Sequence, residues 1–108
     1  MAKWFKESEI VGLDPMLVEG LDQARERAGI PFIITEGRAS TQGSHVEHSS
    51  HFKGYAVDLR CWTSWDRWKM FTALLETGFR RLGVYDKHIH VDIDPDLPQN
   101  VIWVGKSN

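Results

Sequence analysis

Histidine and carboxylate residues gather in two short stretches of this chain. In Ser49-Ser50-His51-Phe52-Lys53-Gly54-Tyr55-Ala56-Val57-Asp58, a histidine and an aspartate stand seven positions apart with a glycine between them. In His88-Ile89-His90-Val91-Asp92, two further histidines lie inside an apolar alternation. All five histidines of the chain (His45, His48, His51, His88 and His90) fall in or near these stretches. Imidazoles and carboxylates that converge from two segments are the makings of a zinc site with one open position. Asp58 can offer an oxygen from one strand and His90 a nitrogen from another. His51 sits in a loop, where Gly54 permits a sharp return into the strand. His88 is about 6.5 Å along the strand from His90, too far for both to chelate one ion readily. A second role suits it, as a contact for a bound water or a developing oxyanion. His45 and His48 are rival ligands or rim residues, although solvated loop histidines are the commoner case. The competing reading of the whole pattern is a histidine-rich loop and strand with merely exposed imidazoles.

These residues need elements to position them. Asp14-Pro15 reads as a helix start, with Asp as N-cap and Pro at the first helical position. Leu17, Leu21, Ala24 and Ala28 recur at helical spacing, and Gly29 is the stop. The spacing predicts a helix over Pro15–Ala28, preceded by a short irregular or helical lead-in. Pro31-Phe32-Ile33-Ile34-Thr35-Glu36 predicts a buried strand. The stretch from Gly37 to Lys53 is polar and too long for a plain turn, as functional loops often are. Tyr55 to Arg60 alternates with period two. Tyr55, Val57 and Leu59 face the core; Ala56, Asp58 and Arg60 face the other side. Thr63 or Ser64 caps a second helix, about Trp65 to Thr77, with Trp65, Trp68, Phe71, Leu74 and Leu75 as its apolar stripe. Stacking of Trp65 or Trp68 on a glycan is the alternative to core packing. Arg80–Tyr85 and His88–Ile93 predict a hairpin turning at Asp86-Lys87. Its second strand places His88, His90 and Asp92 on one face. Asp92 reads as a structural residue or a support for the ligands rather than a ligand. Val101–Val104 is a last edge strand or apolar tail. The element order points to an α+β fold with an antiparallel sheet and helices packed on one side.

The 108 residues fit one domain over residues 1–108. Hydrophobic residues are 42% of the chain, enough for a compact core. A formal net charge of −2 and the lack of a basic stripe disfavour nucleic-acid binding, including a metal nuclease. No apolar run approaches a membrane span. The first residues lack a long apolar h-region, so synthesis in the cytoplasm without a signal peptide is expected. Cys61 is the single cysteine, so no internal disulfide forms, and it reads as a small buried hydrophobe. Arg25, Arg27, Arg80 and Arg81 read as solvated surface, and a monomer is expected.

Ser49-x-His51-x-x-Gly54-x-Ala56-x-Asp58, followed by His88-x-His90-x-Asp92, resembles the peptidase M15 family of D-Ala-D-Ala metallopeptidases. That family shares its fold with the hedgehog signalling domain. The likeness extends to Gly12-Leu13-Asp14-Pro15, to Ala28–Thr35 and to Leu82-Gly83-Val84-Tyr85, and is widest with small domains of bacterial and phage cell-wall enzymes. The resemblance implies a Zn2+ cofactor held by His51, Asp58 and His90. It implies a catalytic part for His88 and substrate contacts by Ser49 and Arg38. It further implies hydrolysis of peptidoglycan stem peptides, by a carboxypeptidase or an endolysin-like endopeptidase, and action at the cell wall, as in a phage lysis system. The pattern departs at one point: many relatives carry a carboxylate base three residues before the last ligand, where this chain has Lys87. Asp86, one step further away, is the alternative base or a group that orients His88. The hedgehog likeness keeps open a zinc-containing binding module without catalysis.

Overall fold

The computed structural model describes residues 2–37, 50–51 and 53–106. Three helices, α1 (Glu7–Ile10), α2 (Pro15–Ala28) and α3 (Ser64–Glu76), accompany five strands. The strands are β1 (Ile34–Glu36), β2 (Ala56–Arg60), β3 (Arg81–Val84), β4 (His88–Asp92) and β5 (Val101–Val104). They form one sheet in the order β1-β2-β4-β3-β5. Every pair is antiparallel except β3 with β5, which is parallel. The architecture is therefore α+β, as expected, with a mixed rather than purely antiparallel sheet.

Local chemistry fixes α2 at both ends. The Asp14 carboxylate accepts from the Met16 N–H, Pro15 begins the helix, and Gly29 closes it with a left-handed φ of 71°. Leu17, Leu21 and Ala24 from α2 are buried with Met70, Ala73 and Leu74 from α3. Val57, Leu59, Leu82, Ile89 and Val91 complete this core from one face of the sheet. Cys61 joins it, and burial pushes its thiol pKa up, so it is a packed hydrophobe rather than a nucleophile.

Three expectations change. The first strand is shorter, beginning at Ile34 rather than Pro31. Trp65 and Trp68 are exposed, at 78% and 72%, rather than packed in the core. α3 carries two apolar stripes about a third of a turn apart, and the one with Met70, Ala73 and Leu74 faces inward. Met70, Ala73 and Leu74 join the core with Leu17, Leu21 and Ala24 of α2, while both indoles turn to solvent. Arg81 is buried rather than solvated and pairs with Asp92 at 2.6 Å.

Gly54 joins the loop that carries His51 to the start of α2. Its φ is +83°, and a Cβ there would fall on the Gly12 carbonyl oxygen. Its own carbonyl accepts from the Asp14 N–H at 2.9 Å. Gly54→Ala therefore meets a disfavoured dihedral and a backbone clash together. An expected loss of at least about 1–3 kcal/mol from the dihedral alone is checked by urea unfolding. Displacement of His51 is checked by zinc titration of the folded fraction.

Candidate metal centre

The face of the sheet away from the helices carries the polar residues. Sheet register aligns one row across four strands: Asp58 lies opposite His90, His90 opposite Gly83, and Gly83 opposite Trp103. Gly83 has no side chain to occupy the row. A Cβ there would come within 2.8 Å of the Trp103 indole, which reaches across to within 5.3 Å of the His90 ring. His51 enters from the Ser50–Gly54 turn and is buried at 4% exposure. Its ring meets His90 edge-on at 5.0 Å.

Asp58 is the hub. Its Oδ1 lies 3.3 Å from His51 Nε2 and 3.2 Å from His90 Nδ1. Its Oδ2 lies 3.7 Å from His88 Nε2. Partners on the far side of each ring assign the tautomers. His51 Nδ1 is 3.1 Å from the Gly37 carbonyl, which only accepts, so Nδ1 carries the proton. His90 Nε2 is 2.6 Å from the Asp92 carboxylate and donates to it. A neutral imidazole held this way aims its remaining lone pair at the carboxylate oxygen, and a protonated one donates to it. Acceptors facing one another repel unless a cation or a proton lies between them.

The distances suit a cation. Donor bonds of about 2.1 Å in a tetrahedral site put neighbouring donor atoms about 3.4 Å apart, close to the 3.2 and 3.3 Å observed. All three donor atoms lie within 4.8 Å of one another. Burial would push the Asp58 carboxyl pKa up, but hydrogen bonds with His51 and His90 outweigh it and hold the group well below the ordinary carboxylate range. The oxygen donor is thus anionic in advance. Burial opposes charge on His90, yet hydrogen bonds to Asp58 and Asp92 prevail and raise its pKa. Metal binding at Nδ1 must then release that proton.

Support extends outward from His90. Asp92 is buried and accepts from His90 Nε2, from Arg81 Nε at 2.6 Å and from the Asp94 N–H at 3.1 Å. Arg81 also donates to the Pro98 carbonyl at 2.6 Å. The expected supporting role of Asp92 is thus visible in its contacts. Asp94 has no exposed surface and was not legible as a site residue. It accepts from Ser50 Oγ at 2.8 Å and Lys53 Nζ at 3.3 Å, tying the His51 turn to the end of β4. The signal that could have revealed it is its continuation of the His88, His90, Asp92 alternation.

Burial acts to raise the Asp94 pKa, but bonds from Ser50, the Asp96 N–H and Lys53 lower it below the ordinary 3.8. A depressed folded pKa stabilises the protein above the unfolded value and is lost as pH falls below it. Asp94→Asn is expected to reduce stability at pH 7 and to flatten the fall in stability below about pH 4, as followed by urea unfolding across pH.

The remaining expected site residues stand as follows. His88 borders the cluster beyond Asp58, one-quarter exposed, with its ring stacked on Tyr85 at 4.3 Å. Asp86 is exposed in the β3–β4 bend, where its carbonyl accepts from Arg67. The group within metal-binding reach among the described residues contains neither Asp86 nor His88. Arg38, Ser49, His45 and His48 lie outside the described residues.

The α+β sheet and its three convergent donors define a candidate metal-binding protein. A family model described as Peptidase M15 matches residues 4–94. The chain belongs to the peptidase M15 family, and its mixed sheet with helices is compatible with that family's fold. No curated protein and no solved structure matches the chain. No helix among the described residues is long and apolar enough to cross a membrane.

Proposed function

We propose that this M15 peptidase is zinc-dependent and hydrolyses the stem peptides of peptidoglycan. The observation that carries the metal dependence is the convergence of His51 Nε2 and His90 Nδ1 on Asp58 Oδ1, with the far nitrogen of each ring held by an acceptor. His51 Nε2, Asp58 Oδ1 and His90 Nδ1 would hold the ion. When bound there, zinc supplies Lewis acidity, which brings the pKa of a water toward neutrality and polarises a peptide carbonyl.

The chain's own residues do the rest. His88 Nε2 faces the cluster from a partly exposed position. It takes a proton from the attacking water as oxygen bonds to the carbonyl carbon. It returns that proton to the amine nitrogen as the C–N bond breaks. Tyr85, stacked on the imidazole, holds its plane. Asp86 remains the alternative base, and its exposed position in the bend favours His88 for that work. Arg38 is proposed to bind the substrate carbonyl or carboxylate, and Ser49 to contact the substrate. The proposed site of action is the cell wall, as an endolysin-like enzyme.

A second reading, a zinc-containing binding module, is favoured by one observation. Lys87 occupies the position where many relatives have a carboxylate.

The test is incubation of the zinc-loaded protein with defined stem peptides, followed by mass spectrometry. Cleavage that stops with chelator and returns with zinc is expected, and His88→Ala should lower kcat by about 10²–10⁴-fold. A folded, zinc-loaded protein that releases no peptide would count against hydrolysis. Activity unchanged in both His88→Ala and Asp86→Ala would remove these residues from the mechanism.

A further inference from the structure

Asp58 and Arg60 are two residues apart on β2, so their side chains leave the same face of the sheet. β2–β4 register pairs Asp58 with His90 and Arg60 with His88. Donors Asp58 and His90 thus form one row, and Arg60 with His88 forms the next, about 7 Å along the strands. Arg60 is exposed, while its backbone N–H is tied to the Ile33 carbonyl at 2.9 Å. Its guanidinium lies over the Trp62 indole, 4.1 Å from the ring centre.

Cation–π attraction to the indole holds the guanidinium without using its N–H donors on a protein acceptor. Among the described residues no carboxylate or carbonyl accepts from this guanidinium. Arg81, in contrast, bonds Asp92 and Pro98 through Nε and Nη1, and Arg67 commits Nη2 to the carbonyls of Tyr85 and Asp86. Arg60 also lines a cleft of about 230 Å³ with Trp62, Asp66, Met70, Ile30 and Pro31. Arg60 is therefore one row along the sheet from the donor pair and lines a recess with both apolar and polar walls.

We infer that Arg60 is a substrate-binding residue that takes a carboxylate of the peptide, with Trp62 as its platform. This rests on the proposed peptidase function. A peptide advances about 3.5 Å per residue, so a carboxylate one or two residues from the scissile carbonyl spans the gap between the two rows. A planar guanidinium with free edges suits bidentate binding of that group. The carboxylate is either the peptide's C-terminus or an acidic group within it. The first makes the enzyme a carboxypeptidase and the second an endopeptidase.

The experiment compares the zinc-loaded wild type, Arg60→Ala and Arg60→Lys on three versions of one stem peptide. One has all carboxylates free, one is amidated at the C-terminus, and one is amidated at its internal acidic group. On the free peptide, Arg60→Ala is expected to lower kcat/KM by about 10–100-fold, mostly through KM, with partial recovery in Arg60→Lys. On the peptide whose relevant carboxylate is amidated, wild type and Arg60→Ala should differ less than twofold. The amide that erases the difference identifies the carboxylate. An equal loss on all three peptides, or no loss on any, overturns the inference. Should the wild type cleave nothing, the peptidase reading fails separately. Calorimetric binding of the same peptides then decides for Arg60, and equal affinity of wild type and Arg60→Ala rejects its role.

Discussion

Asp58→Ala is expected to leave a folded protein that no longer retains zinc. Asp58 Oδ1 sits 3.2–3.3 Å from His51 Nε2 and His90 Nδ1, so it contributes two of the three edges that join the candidate donors. Without it, two neutral imidazoles remain, and no negative charge in the cluster offsets that of a divalent ion. Loss of groups that merely support a ligand costs about 10–100-fold in metal affinity, and loss of the anionic ligand itself should exceed that range. Peptide hydrolysis should fall with the metal. The core lies on the opposite face of the sheet, with Val57 and Leu59 flanking Asp58 on β2 and facing inward, so secondary structure should persist. Asp58→Asn, with the same shape and no charge, separates packing from charge. Metal content after dialysis and far-ultraviolet circular dichroism are the measurements. Stoichiometric zinc in Asp58→Ala would remove Asp58 from the donor set.

Arg81→Met is expected to cause the largest loss of stability. Arg81 and Asp92 are both buried, with side chains 9% and 1% exposed, and their ion pair is 2.6 Å long. Removing one partner of a buried pair strands the other charge, at a cost of about 3–5 kcal/mol. That is a large share of the 5–15 kcal/mol typical of a domain. A fall in melting temperature of more than about 10 °C follows for a chain of this length. Asp92 also holds the Nε2 proton of His90, so zinc affinity should weaken in the folded fraction. Saturating zinc should recover part of the stability by binding only the native state. Calorimetric melting with and without zinc tests both effects. A variant that melts within 2–3 °C of the wild type, an interval worth less than about 1 kcal/mol, would show that Asp92 is satisfied by other partners.

Elements governed by neighbouring residues were legible in the sequence. Asp14-Pro15 and Gly29 mark α2 at its observed ends because capping is local chemistry. The His88-x-His90-x-Asp92 alternation gives one shared face because strand geometry has period two. His51, Asp58 and His90 were identified by motif, and they are the three that converge. Features that depend on distant partners were not legible. Both stripes of α3 are apolar, so which of them faces the core, and hence the exposure of Trp65 and Trp68, is set only by the assembled fold. Arg81 looks like any surface arginine until β4 brings Asp92 beside it. The parallel direction of β5 depends on the route of residues 93–100 and leaves no mark in Val101–Val104. Arg60 could be placed on the same face as Asp58 from the strand period, but its position opposite His88 needed the β2–β4 register.

The row that runs Asp58, His90, Gly83, Trp103 has a consequence for how this chain can change over evolution. Inserting or deleting a single codon within β2 or β4 would not displace the donors by a fraction of an ångström; it would turn every side chain beyond it over to the opposite surface. Drift in length is therefore all-or-nothing inside these strands and must be absorbed by the connecting segments outside them.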